Sequence, residues 1–203
     1  MSKTEKKNEK EIRMLSKNLR SLEDSKEMIV EGYAVVFNSP DGTDYYTEII
    51  DRNAFNGCDM KDVCFKYNHD SGHSILARTR NKSLELAVDD VGLKIRAKLI
   101  DTQPNKDIYK MIQAGLLDKM SFAFTVSEEE WDYDTDTRRI LSINKLFDVS
   151  VVDVPFYDAT SIYARSLEKL ESGKANLERL KEQRKNKIKS LDLRARLLEM
   201  KGE

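Results

Sequence analysis

The stretch Lys119-Met120-Ser121-Phe122-Ala123-Phe124-Thr125-Val126 alternates bulky apolar side chains with small or polar ones. On an extended chain successive residues face opposite ways, so Met120, Phe122, Phe124 and Val126 share one face and Ser121, Ala123 and Thr125 the other. The bulky set suits a core, which leaves the Ser121 hydroxyl among small neighbours. A second run, Leu146-Phe147-Asp148-Val149-Ser150-Val151-Val152, places Asp148, Ser150 and Val152 on one face and Val149, Val151 and the following Asp153 on the other. A carboxylate inside so valine-rich a strand is costly to bury without a partner.

Working outward, the same texture runs from Met28 to about Arg165. Ile29 to Phe37, Tyr45 to Ile50, Val63 to Tyr67, Leu84 to Val88, Leu93 to Leu99 and Ile140 to Asn144 read as further strands. Asn38-Ser39-Pro40-Asp41-Gly42 is a loop, Asp89-Asp90-Val91-Gly92 a hairpin turn, and Trp131 to Thr137 an exposed hairpin connection. One helix interrupts the series. Thr102 can cap it, Pro104 suits its first turn, Ile108, Met111 and Ile112 form its apolar stripe, and Gly115 can end it. Many short strands with one or two helices predict an α+β, mainly β chain. The expected core is a closed or strongly curved antiparallel β-barrel.

Composition divides the chain into three. Residues 1–26 are rich in Lys, Glu, Asn and Ser and read as a charged, disordered arm. Residues 27–165 are the barrel domain. Residues 166–203 lack aromatic residues and proline and read as a charged helical extension that docks on a partner or stays mobile. There Leu170, Leu177, Leu191 and Leu198 share a seven-residue phase that Arg184 breaks, too sparse a pattern for a coiled coil.

The 35 basic residues are balanced by 36 acidic ones. That argues against a nucleic-acid or anionic-membrane binder, whose affinity comes from a net basic surface. No apolar run approaches the roughly 20 residues that cross a bilayer. The first ten residues carry no apolar segment of the secretory kind. Two cysteines, Cys58 and Cys64, fit reduced thiols in a reducing compartment.

Only two histidines are present, His69 and His73. His69, in Tyr67-Asn68-His69-Asp70, follows a strand end, where scaffolds commonly present functional groups. An imidazole there, with the Ser121 hydroxyl and the Asp148 carboxylate, makes the set needed for acyl transfer: a nucleophile, a base and an orienting anion. Alternatives accompany each assignment. Taken alone, Ser121 is an ordinary polar position on a strand. Asp148 could pair with Arg138 or Arg139, and Asp153, on the opposite face, competes with it for the orienting role. His69, Asp70 and His73 could ligate a metal, although a catalytic zinc site needs more than this spacing supplies. Cys64 could attack instead of Ser121, but residues five apart on a strand point to opposite faces.

The segments Ile29 to Phe37 (IVEGYAVVF), Asn68-His69-Asp70, Gly115 to Phe124 (GLLDKMSFAF) and Leu146 to Pro155 (LFDVSVVDVP) resemble, in this order, the prohead maturation proteases of HK97-type tailed phages. The resemblance covers roughly Arg20 to Arg165. It implies a serine endopeptidase with a herpesvirus-protease-like β-barrel and flanking helices, using neither cofactor nor metal. His69 matches the family's histidine and Ser121 its nucleophile. Asp148 stands where the family usually has glutamate. The implied substrates are the scaffold, or the scaffolding arm of the major capsid protein, and the protease itself. The implied setting is a homodimer packaged inside the procapsid in the host cytoplasm. The competing expectation is a non-enzymatic capsid assembly factor whose barrel only binds.

Overall fold

The computed structural model describes residues 10–15, 19–21, 27–42, 46–70, 75–153 and 170–187. Among the described residues, eleven strands and a helix appear in the order β1 (Lys10–Leu15), β2 (Arg20–Ser21), β3 (Ile29–Val36), β4 (Asp41–Gly42), β5 (Thr47–Ile50), β6 (Cys64–Tyr67), β7 (Ala77–Arg78), β8 (Leu84–Val88), β9 (Gly92–Lys98), α1 (Gln103–Gln113), β10 (Lys119–Asp132) and β11 (Thr137–Val152). Residues 170–187 form a second helix.

These strands make no barrel. They form two open sheets: a mixed sheet in the order β1-β10-β11-β5-β4, with β6 and β7 branching from β11, and an antiparallel sheet β2-β3-β9-β8. The expectation of a closed or strongly curved antiparallel barrel is therefore corrected to a mainly β, α+β chain. Alternation reveals which residues are extended and which way they face, but not a strand's partner or direction. The decisive element is β11. Along one side it pairs antiparallel with β10, and along the other its two halves take separate parallel partners, Thr137–Ile140 with β5 and Asp148–Val151 with β6. Parallel pairs need long crossovers rather than hairpins, and no short-range turn signal announces them.

One apolar cluster draws on both sheets and on α1, with Val30, Val35, Leu93 and Ile95 from one sheet, Phe65, Phe122, Phe124, Val149 and Val151 from the other, and Ile108 and Ile112 from the helix. The bulky face of Met120 to Phe124 lies in it as the alternation requires. Thr102 is the N-cap residue of α1, in extended conformation. The helix ends as a Schellman turn: Gly115 takes φ +71, its N–H donates to the Ile112 carbonyl, and the Leu116 N–H donates to that of Met111.

Two flanks take part in this architecture. Lys10–Leu15, within the segment read as a charged arm, is the edge strand β1, antiparallel to β10. The 170–187 helix lies against the β10–β11 hairpin tip, where Lys174 Nζ donates to Asp136 at 2.7 Å. Gly173 makes this approach possible, since a Cβ there would fall 2.1 Å from the Tyr133 ring. Leu170 is buried at the same end of the helix. The Lys174 ion pair, the close approach at Gly173 and the buried Leu170 hold this end of the helix to the hairpin.

Candidate active site

β10 and β11 set the site. Their register opposes Ser121 to Ser150 and Ala123 to Asp148. Opposed residues share a face, so the hydroxyl and the carboxylate stand diagonally adjacent on one side of the ribbon. The register shifts begin only beyond Ala123. β6 then runs parallel to β11 and delivers the chain at Tyr67, beside Val151.

The chain turns there tightly. The Asp70 N–H donates to the Tyr67 carbonyl at 3.0 Å, and the two central residues, Asn68 and His69, have φ of +51 and +57. Positive φ at both centres is what a type I′ turn requires, and Asn and His are among the side chains that tolerate it. The Asn68 N–H adds a bond to the Val151 carbonyl at 3.0 Å, tying the turn to β11.

This turn brings the imidazole between the other two groups. His69 Nδ1 meets Asp148 Oδ1 in a short hydrogen bond, and His69 Nε2 lies 2.6 Å from Ser121 Oγ. Burial pushes the Asp148 carboxyl upward, but the hydrogen bond and charge of His69, with those of Lys10, outweigh it and hold the group at about 2. A carboxylate only accepts, so Nδ1 carries the ring proton and the Nε2 lone pair faces the hydroxyl. Lys10 Nζ caps the second oxygen, Oδ2, at 3.0 Å. Ser150 Oγ donates to Asp148 Oδ1 at 3.1 Å and lies 3.2 Å from His69 Nδ1.

The competing assignments separate by geometry. Asp153 accepts from the Tyr67 hydroxyl at 2.7 Å, and its N–H donates to Asn68 Oδ1, so it fixes the strand end rather than the ring. Arg138, offered as a partner for Asp148, is buried instead among Glu11, Glu48 and Glu129. Arg139 lies near Asn38 and Asp51. Cys64 is opposed to Asp148 on β11 and to Arg78 on β7. Cys58 and Cys64 are both free thiols, and burial pushes that of Cys58 up to about 11. His73, the third member of the metal reading, lies outside the described residues.

Three contributors escaped the sequence reading. Ser150 was legible in principle, two residues beyond Asp148 on the same face. Lys10 and Arg13 were not, because nothing in a lysine- and glutamate-rich segment marks it as a strand. Their strand covers the face that carries Ser121: the residue is fully buried, and its Oγ also lies 2.6 Å from the Arg13 carbonyl oxygen. The one hydroxyl proton thus faces two acceptors.

Among the described residues, no helix is long and apolar enough to cross a membrane. The family model of the caudovirus prohead serine protease matches residues 16–174. The prohead protease of Escherichia phage T5 is 31% identical over 109 residues, 53% of this chain and 49% of that protein. The prohead protease of Enterobacteria phage HK97 is 28% identical over 154 residues, 73% of this chain and 65% of its own length. The chain therefore spans between about half and two thirds of these curated relatives. Among solved structures, the bacteriophage T4 capsid assembly protease aligns with a TM-score of 0.45 at 13% identity, covering 73% of this chain and all of that one. With more than three quarters of its length under one family model and Ser121, His69 and Asp148 inside the matched span, the chain belongs to the caudovirus prohead serine proteases.

Proposed function

We propose that this protein is a serine endopeptidase that matures a phage procapsid. It acts inside the procapsid on the scaffold or the scaffolding arm of the major capsid protein, and on itself, and works as a homodimer. One observation carries the reading: a serine hydroxyl, an imidazole and a buried carboxylate stand in hydrogen-bonded sequence, with the lone pair of His69 Nε2 aimed at Ser121 Oγ at 2.6 Å.

In this mechanism Ser121 Oγ attacks the scissile carbonyl while His69 Nε2 takes its proton. Asp148 holds the Nδ1–H and stabilises the imidazolium that forms. Collapse of the tetrahedral adduct breaks the C–N bond, and His69 returns the proton to the departing amine. Water, deprotonated by the same imidazole, then attacks the acyl-serine and releases the acid. Ser150 steadies the carboxylate through its hydrogen bond to Oδ1.

Co-expression with the capsid and scaffold proteins of the same phage, followed by mass spectrometry of the fragments, tests the reading. Defined cuts that vanish with Ser121→Ala are expected. Cuts that persist in that variant would overturn the assignment. A fluorophosphonate probe separates this reading from a purely binding role, since an assembly factor would not be labelled at Ser121.

A further inference from the structure

The base and its two partners hang on different strands. Ser121 and Asp148 belong to the β10–β11 ribbon, whereas His69 sits on the turn that leaves β6. Their alignment therefore depends on where β6 stands along β11. Four residue pairs, Cys64–Asp148 to Tyr67–Val151, and the bond from the Asn68 N–H to the Val151 carbonyl set that register. A strand advances about 3.3 Å per residue and alternates its faces, so a slip of one position would carry the imidazole out of reach and turn it over. A misplacement of even about 1 Å can cost roughly a hundredfold in rate.

Beyond the last pair, two side chains clasp the end of β11. The Tyr67 hydroxyl donates to Asp153 Oδ2 at 2.7 Å, and the Asp153 N–H donates to Asn68 Oδ1 at 3.2 Å. Asp153 is the first residue after β11, and Tyr67 and Asn68 are the two residues immediately before His69. The clasp lies on the far side of the strand from the site. Tyr67 is paired with Val151, which shares its face with Val149 and Asp153, while Asp148 and Ser150 lie on the face of Ser121. Both bonds are exposed, so they add only modestly to global stability, and their effect is to fix where the turn stands.

We propose that Tyr67, Asn68 and Asp153 are positioning residues, which lock β6 to the end of β11 and so hold His69 between Ser121 and Asp148. The inference rests on the protease reading. Asp148 and Asp153, on opposite faces of one strand end, divide the work: the first holds the ring, and the second holds the turn that carries it. Asp153 acts through its hydrogen bonds rather than its charge, so an asparagine in its place preserves the role. None of the three touches the reacting atoms.

Two measurements on the full-length chain test this: initial rates on the major capsid protein of the same phage, and the proton NMR spectrum of the imidazoles. Tyr67→Phe removes the donor and Asp153→Ala its acceptor. Asn68→Gly removes the other acceptor while retaining the positive φ of the turn. Each should lower kcat about tenfold or more, with KM within about twofold and the urea midpoint little moved. Asp153→Asn should keep most of the rate. The downfield resonance of the His69 Nδ1–H, identified by its absence from His69→Ala, should broaden in the first three variants and persist in Asp153→Asn. An unchanged kcat in those three variants overturns the inference. So does a loss in Asp153→Asn as large as in Asp153→Ala, which would assign the charge instead of the bonds. A fall in kcat that follows a lowered urea midpoint, with the resonance still sharp, also overturns it. Where Tyr67→Phe or Asn68→Gly fails to fold, the two variants of the exposed Asp153 decide. If the unaltered chain neither cleaves nor takes a fluorophosphonate at Ser121, the protease reading falls, and the resonance alone then decides the clasp.

Discussion

Two buried polar networks share the β10–β11 ribbon, and they are built on opposite principles. At one, Arg138 donates to Glu11, Glu48 and Glu129 while Arg13 grips Glu48. Burial opposes the charge on Glu48, but Arg13 and Arg138 outweigh it and keep the carboxyl below its usual range. Burial likewise opposes the charge on Arg138, and its carboxylates overcome that, raising its pKa. Every group there is charged and meets at least one opposite charge, three carboxylates sharing two guanidiniums. At the other, Ser121 holds one proton between two acceptors, and His69 turns a lone pair toward it. A saturated network resists change, whereas one with spare capacity can pass a proton. β1 contributes to both, so the strand that completes the first also covers the second.

Breaking the second network should have the largest effect. Ser121→Ala or His69→Ala should lower cleavage by about four to six orders of magnitude, read as product per hour by mass spectrometry, because members of such a unit act together. Asp148→Asn keeps the shape but removes the anion that selects the tautomer. A loss of about three to four orders of magnitude in kcat is expected, with KM little moved. A rate near that of the unaltered protein would transfer the orienting role elsewhere.

Breaking the first network should cost stability. Arg138→Ala strands buried carboxylates and should lower the unfolding free energy by about 3–5 kcal/mol in urea. Acid sharpens the contrast further. Asp148 lies at about 2 in the fold against an ordinary value of 3.8, so its contribution is complete above the ordinary value and is lost as pH falls toward 2. That amounts to about 2 kcal/mol, and urea curves between pH 5 and pH 2 should lose this much of their acid dependence in Asp148→Asn. The smallest effect belongs to Ser150→Ala. Removing one neutral donor to Asp148 should cost about 1 kcal/mol, visible as a several-fold fall in kcat.

The two networks also differ in how far the sequence discloses them. The Ser121, His69 and Asp148 constellation was readable because its members are scarce or conspicuous: one of two histidines, and a carboxylate and a serine interrupting apolar alternation. The facing of β10 and β11 follows from the same alternation, as does α1 from its capping residues and stripe. The ion cluster was hidden, because Arg138, Glu48 and Glu129 are ordinary charges in a chain that is about a third charged. Charge says nothing of burial until partners meet, and here they come from four separate strands. The sheets were misjudged for a related reason. The parallel partners of β11 arrive across long connections, and Lys10 to Leu15 gains its extended form from the β10 edge rather than from its own composition.

The Tyr67–Asp70 turn has a last consequence. A left-handed pair of residues closed by a backbone bond leaves the His69 ring little freedom to pivot about its main chain. Position 68 should admit asparagine, aspartate or glycine while refusing valine or isoleucine.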